Sequence, residues 1–168
     1  MTVIEVFGVY FIYYLTTIRG LKPNNVPLLS QKGYMTIEEL QIKLADINHL
    51  VETFQTSVAL ENYYSDDTVM IEGDGTITSG KENCRQGREI FFQEMLVEFR
   101  ESKLISQDIA ISADKDYDFV VISNWYNDYT VKVEGQIIDS KSNQISIGYW
   151  KDGLVVKESY NYPVIAVV

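Results

Sequence analysis

The chain has 168 residues, of which 46% are hydrophobic and 23% charged, and its formal net charge is −10. These values are typical of one globular domain and exclude intrinsic disorder. The negative charge argues against nucleic acid and anionic membrane as partners, because both attract basic surfaces. The single cysteine, Cys84, and the single histidine, His49, exclude a disulfide framework and metal sites built on several thiolates or imidazoles. We therefore expect no metal and no other cofactor.

The N-terminal 34 residues differ in composition from the rest of the chain. Residues 3–15 are almost entirely apolar, and residues 21–33 are rich in Pro, Asn and Gly. The apolar run is shorter than the roughly 20 residues that span a bilayer. Three interpretations stay open: an extra strand, a leader that is not native to the domain, and a membrane or export element. We therefore separate an appendage, residues 1–34, from a main domain, residues 35–168.

The main domain begins with a predicted helix that carries its own start signal. Thr36 followed by Glu39 forms the pattern of a capping box. Apolar residues then recur in steps of three and four, which predicts one helical stripe facing a core: Ile37, Leu40, Leu44, Ile47, Val51, Phe54 and Val58. A break near residues 53–57 separates a second helix, which we expect to end at residues 65–67.

A short strand, a turn and a third helix follow. Residues 68–72 are rich in strand-forming side chains, and the glycines at 73 and 75 predict a turn before a return strand at residues 76–78. The apolar spacing of residues 81–99 predicts a third helix. We expect Arg85 and Arg88 to be exposed on this helix.

The C-terminal half is predicted to be β-structure. Residues 104–113, 117–135, 144–150 and 154–162 have the alternating or β-branched pattern of strands, and Lys151, Asp152 and Gly153 predict a short hairpin turn. Helices that precede an antiparallel meander predict an α+β fold.

Three segments in this order resemble the SnoaL-like branch of the nuclear transport factor 2-like superfamily. They are YYSDDTVMIEGDGTITSGKEN at residues 63–83, the helix after it, and IGYWKDGLVVKESYNY at residues 147–162. The resemblance covers residues 36–162. It implies a cystatin-like cone (an α+β barrel), in which N-terminal helices pack inside a curved antiparallel sheet around a pocket. Relatives include ketosteroid isomerases, polyketide cyclases, dehydratases and non-catalytic binding modules, so the fold alone does not determine the reaction.

Glu72 is the predicted catalytic residue. Counted from Asp66-Asp67, it occupies the position of the carboxylate base in the ketosteroid isomerases that the chain resembles. A carboxylate in an apolar pocket is suited to moving a proton next to a carbonyl group. The same counting places Asn48 and Ile147 where those isomerases have a tyrosine and a carboxylic acid, so the resemblance implies only part of the isomerase site.

Aromatic residues and one further glutamate are the predicted ligand-binding groups. Glu158, Tyr160 and Tyr162 share one face of the last strand, because alternate strand residues point the same way. The resemblance implies that this face points into the cone. Trp125 and Tyr126 are adjacent and must point to opposite faces, which favours a homodimer that covers the outer face of the sheet. The predicted ligand-binding residues are Asn48, Trp125, Tyr126, Glu158, Tyr160 and Tyr162.

Two functions fit this sequence. One is a cytoplasmic isomerase, cyclase or dehydratase that uses Glu72 as base and Tyr160 or Tyr162 as hydrogen-bond donor, without metal, on a small apolar carbonyl compound. The other is a non-catalytic ligand-binding or dimeric assembly module of the same fold. An enclosed cavity with Glu72 on its wall favours the first.

Overall fold

The computed structural model describes residues 35–162, and the predictions for residues 1–34 lie outside them. Two helices come first, α1 (Ile37–Glu52) and α2 (Thr56–Tyr63). Strands β1 (Tyr64–Ile71) and β2 (Ile77–Ser79) follow. Helix α3 (Lys81–Ile90) leads through a π-helical turn (Phe91–Met95) into strand β3 (Leu96–Ile111). Strands β4 (Phe119–Val133), β5 (Gln136–Lys151) and β6 (Leu154–Asn161) complete this part of the chain.

The strands form one six-stranded sheet in the order β2-β1-β6-β5-β4-β3. Every neighbouring pair is antiparallel except β1 and β6, which run parallel and place Met70 beside Glu158. The pairing of β3 with β4 shifts register at three points between Leu96 and Ser106. Such irregularities bend a strand and increase its twist, which lets the sheet curve around the helices. The predicted α+β class is confirmed, with one parallel pair within the antiparallel pattern.

The start of α1 is the capping box predicted from the sequence. The Thr36 hydroxyl accepts from the backbone N–H of Glu39, and the Glu39 carboxylate accepts from the backbone N–H of Thr36. Leu40 and Leu44 bury the inner face of the helix in the core. On the same helix, Lys43 donates to the carbonyl of Gly153 at 2.9 Å, which ties α1 to the β5–β6 turn.

The core lies between the helices and strands β1, β4, β5 and β6. Trp150 and Leu60 are 1% exposed and Leu40 is fully buried. Cys84 is 3% exposed and packs in this cluster, and burial raises the pKa of its thiol. A buried thiol with a raised pKa is a packing residue and not a nucleophile.

Two boundaries predicted from the sequence are wrong. The third helix does not reach residue 99, since α3 ends at Ile90 and Phe99 lies on β3 opposite Tyr129. Likewise, Asp66 and Asp67 do not end α2 but belong to β1, which begins at Tyr64. In both places long-range strand pairing overrides the local apolar spacing.

The two tight hairpin turns share one backbone geometry. Asp152 and Gly153 have φ values of 49° and 81°, and Glu134 and Gly135 have values of 50° and 82°. Positive φ at both central residues is the type I′ geometry that matches the twist of two-residue hairpins. The turn at Asp152-Gly153 was predicted from the sequence, whereas Glu134 lacks that signal.

Candidate functional site

A cavity of about 560 Å³ lies between the helices and the inner face of the sheet. Its volume is within the range of about 300–1,000 Å³ that is usual for small-molecule sites. Its lining divides into three regions, which we call the acid wall, the amide wall and the aromatic platform. The acid wall consists of Glu72, Glu158, Tyr64, Tyr160, Tyr162 and Arg88.

The first part of the acid wall is a carboxylate–tyrosine pair. Glu72 follows the last residue of β1, and the Tyr162 hydroxyl donates to its Oε2 at 2.8 Å. Both side chains are half-buried and line the cavity. Burial and the hydrogen bond to Glu72 raise the pKa of Tyr162, so this tyrosine keeps its proton at neutral pH.

The second part is a carboxylate that two tyrosines share. Glu158 is 9% exposed, and its Oε2 accepts from Tyr64 at 2.5 Å and from Tyr160 at 2.7 Å. Burial, followed by the charge of Glu158, raises the pKa of both tyrosines well above the ordinary value. Both hydroxyls therefore keep their protons at neutral pH and donate to the carboxylate.

Arg88 completes this wall, and the sequence prediction that it is exposed is wrong. Its guanidinium lies 5.7 Å from the centre of the Tyr64 ring and donates to the carbonyl of Thr56 at 2.5 Å. Arg88 is four residues after the buried Cys84 and three before Phe91, which are helical spacings. That spacing is the signal that could have placed it on the inner face of α3.

The amide wall is neutral and hydrogen-bonded to itself. Asn48 and Gln107 exchange two amide hydrogen bonds, of 3.1 and 3.2 Å, and Gln107 also donates to Ser123 at 2.9 Å. Asn127 donates to Gln144 at 3.0 Å. These groups offer a ligand hydrogen-bonding positions without a charge.

The aromatic platform is the third region. It consists of five half-buried rings that line the cavity: Phe54, Phe91, Phe92, Phe99 and Tyr129. Phe91 and Phe92 lie on the π-helical turn, and Phe99 and Tyr129 face each other across β3 and β4. The apolar spacing of residues 81–99 predicts a helix for Phe91 and Phe92 and carries no signal that they form part of a site.

The predicted site residues separate into those that line the cavity and one that does not. Glu72, Asn48, Trp125, Glu158, Tyr160 and Tyr162 all line it. Tyr126 is not among the lining residues and is dropped from the candidate site, because it follows Trp125 in a strand and points to the other face. Ile147, the residue at the position of the isomerase's acid, is not a lining residue either.

Groups of three or more His, Cys, Asp or Glu that could hold a metal do not occur within residues 35–162. In the same range, no helix is long and apolar enough to cross a membrane.

Comparison with solved structures identifies the fold. A candidate SnoaL-like polyketide cyclase from Mesorhizobium loti shares 22% identity, with a TM-score of 0.51, over 76% of this chain and 100% of that one. A candidate polyketide cyclase from Pseudomonas putida shares 15% identity, with a TM-score of 0.56, over 78% of this chain and 94% of that one. A candidate isomerase from Bacillus subtilis shares 17% identity, with a TM-score of 0.53, over 77% of this chain and 90% of that one.

No protein-family profile matches the sequence. A search of curated proteins also gives no match. The structural likeness therefore rests on neighbours of 22% identity or less, and it shows the fold without showing the activity. The chain therefore shares the α+β fold of these solved structures, which is the fold that the resemblance of its motifs implied.

Proposed function

We propose that this protein catalyses proton transfer next to the carbonyl group of a small apolar compound, with Glu72 as the base. The observation that carries the proposal is the Glu72–Tyr162 pair, a carboxylate and a protonated hydroxyl 2.8 Å apart on the wall of a cavity of ligand size. Isomerisation, dehydration and cyclisation of carbonyl compounds all begin with removal of such a proton. We therefore propose a type of reaction, proton transfer next to a carbonyl group. The descriptions of the similar solved structures, cyclases and an isomerase, name reactions of this type.

The step is written on the atoms of Glu72 and Tyr162. A carboxylate oxygen of Glu72 takes the proton from the carbon next to the carbonyl group, and the C–H electron pair becomes the C=C bond of an enolate. The negative charge moves from Glu72 to the enolate oxygen. The Tyr162 hydroxyl, which donated to the charged carboxylate, then has a better acceptor in that oxygen. Return of the proton from Glu72 to carbon completes the turnover.

Glu158 has a different role in this proposal. It is more buried than Glu72 and already accepts from two tyrosines, so a ligand proton would have to compete with both donors. Its charge and the charge of Arg88 instead fix Tyr64 and Tyr160 in the wall. Glu158 is thus a positioning residue, and Tyr160 is a second wall hydroxyl beside Tyr162.

The proposal is tested by hydrogen exchange at carbon, which needs no knowledge of the natural substrate. Phenylacetone in D₂O exchanges the protons beside its carbonyl slowly, and the exchange is followed by proton NMR. We expect the protein to accelerate it above buffer and Glu72→Gln to lower the acceleration about 100-fold or more, the usual contribution of a positioned base. Glu101→Gln, which changes an exposed glutamate of β3, is the matched control. Equal exchange by the wild type and Glu72→Gln would show that Glu72 is not the base.

The alternative function, a ligand-binding or assembly module without catalysis, has its own supporting observation. Large apolar side chains are exposed on β3 and β5, among them Ile105, Ile111, Ile137 and Ile145, which are 41% to 70% exposed. A homodimer through the sheet would cover such side chains and stays a prediction, to be tested by the mass of the protein in solution. Binding of phenylacetone without any acceleration of its hydrogen exchange over the rate in buffer alone would favour this alternative.

A further inference from the structure

Phe54 has a backbone conformation that its side chain disfavours. Its φ angle is 61°, in the left-handed region where bulky residues are outliers. The residue ends α1 in a Schellman motif, in which its N–H donates to Val51 at 3.1 Å and the N–H of Gln55 donates to Leu50 at 2.6 Å. Glycine is the usual residue at this position because it has no Cβ. The turn by itself therefore does not explain a phenylalanine here.

The Phe54 ring makes the contacts that the backbone conformation allows. Its centroid is 4.2 Å from that of Phe99, with the planes 25° apart, and 4.9 Å from that of Phe92. Phe91 extends the cluster, with Phe92 at 5.6 Å and Tyr129 at 6.3 Å. The pairs at 4.9, 5.6 and 6.3 Å are within the range of about 4.5–7 Å in which aromatic rings attract one another, and the Phe54–Phe99 pair at 4.2 Å is slightly closer.

The platform is not a closed core. All five of its rings are half-buried, whereas the residues of the true core, such as Trp150 and Leu60, are 1% exposed. Each of the five rings lines the cavity. Ring surface that faces an open cavity is available to a ligand. The π-helical turn supports the same reading, since such turns occur often at functional sites.

The platform is next to the acid wall. Arg88 bonds to the carbonyl of Thr56, two residues after Phe54, and its guanidinium lies over Tyr64. Phe92 follows Arg88 by four residues, a rise of about 6 Å along a helix. The platform therefore adjoins the part of the acid wall formed by Arg88 and Tyr64, and both regions line the same cavity, which one compound with a ring and a carbonyl group can occupy.

We propose that the aromatic platform is a binding subsite for an aromatic ring, so that the substrate class is an aryl-substituted carbonyl compound. The strained backbone of Phe54 holds its ring against Phe99 and completes the wall of the subsite. The ring-binding part stands on the platform alone, and the carbonyl part rests on the proposed function.

The test compares two ketones that differ only in the ring, phenylacetone and cyclohexylacetone, by saturation-transfer NMR titration. We expect the wild type to bind phenylacetone about three- to tenfold more tightly, the range of one added aromatic contact. Phe54→Gly suits the Schellman turn and should remain folded by circular dichroism, but it should bind both ketones equally. Phe54→Leu keeps an apolar side chain and is the second variant, with the same expected loss of preference.

Tyr117→Leu is the matched control, because Tyr117 pairs with Tyr149 at 4.9 Å and neither ring lines the cavity. It should keep the preference for phenylacetone. Equal binding of the two ketones by the wild type, or an unchanged preference in both Phe54 variants, would overturn the proposal.

Glu72→Gln separates this proposal from the proposed function. It should retain the preference for phenylacetone while it loses exchange at carbon. A preference for the aromatic ketone without exchange in the wild type would leave the subsite standing and remove the catalytic role. Exchange at carbon in the wild type without a preference for phenylacetone would support the catalytic role of Glu72 and overturn the aromatic subsite.

Discussion

Two glutamates on the same cavity wall have very different surroundings. Glu72 lies at the end of β1 beside a turn, is half-buried and accepts one tyrosine hydroxyl. Glu158 lies within β6, is 9% exposed and accepts two. A carboxylate that exchanges protons with a ligand must be accessible and accept few hydrogen bonds from the protein. A carboxylate that holds neighbouring side chains in place is best buried and accepts several. This difference is the reason for proposing Glu72 as the base and Glu158 as a positioning residue.

The largest expected effect separates the two glutamates by stability. Glu158→Leu removes the acceptor of two hydroxyls, those of the buried Tyr64 and the half-buried Tyr160, and each unsatisfied buried group costs about 1–3 kcal/mol. We expect it to lower the free energy of unfolding by about 3 kcal/mol in urea titration. Glu72→Leu, the matched control, affects one half-buried hydroxyl and should lower it by less than about 1.5 kcal/mol. Equal losses would contradict the division of roles.

A second prediction uses pH to sharpen the same comparison. The folded-state pKa of Tyr64 and Tyr160 is raised by burial and by Glu158, while unfolded tyrosine ionises near 10.0. The folded state therefore holds these protons more tightly, so its extra stability is complete below pH 10 and is lost as the pH rises above it. Above pH 10, the free energy of unfolding should fall by about 1.4 kcal/mol per pH unit for each of these two tyrosines.

Tyrosinate absorbance during alkaline titration measures this effect. Tyr64 and Tyr160 should ionise only as the protein unfolds, and Tyr64→Phe should reduce the steepness of the stability loss by one proton. Ionisation of all 12 tyrosines near pH 10 with the fold intact would be the contrary result.

The smallest predicted effect concerns the backbone beside Glu72. A Cβ added at Gly73 would lie 3.3 Å from Cε2 of Tyr162, so Gly73→Ala must push the ring away by a few tenths of an ångström. Small displacements of catalytic groups slow reactions, and we expect exchange at carbon to fall about two- to fivefold with little loss of stability. Wild-type exchange rates in this variant would mean that the position of Tyr162 is not critical.

The features that the sequence predicts well are those determined by neighbouring residues. Thr36 and Glu39 are three apart, so the capping box depends on no distant contact. Asp152 and Gly153 supply positive φ for their own turn. The shared face of Glu158, Tyr160 and Tyr162 follows from strand alternation, and all three line the cavity.

The features that the sequence misses depend on partners far along the chain. Phe99 has helical spacing from Phe91 and Met95, but pairing with Tyr129 of β4 draws it into a strand. Tyr64 contributes to the acid wall because β1 lies beside β6, and its hydroxyl bonds to a glutamate 94 positions away. The left-handed backbone of Phe54 has no signal in its residue type, since the ring contacts that stabilise it come from Phe92 and Phe99.

The parallel pairing of β1 with β6 has a consequence for how the molecule folds. The two contacts that define the acid wall, Tyr64 with Glu158 and Glu72 with Tyr162, close chain separations of 94 and 90 residues. The β4–β5 and β5–β6 hairpins, by comparison, turn over two residues each. Loop closure makes long-range contacts slow to form, so the hairpins should assemble first and β1 should join β6 late. Binding of a ligand during refolding would then report the last step of assembly, after most of the secondary structure is in place.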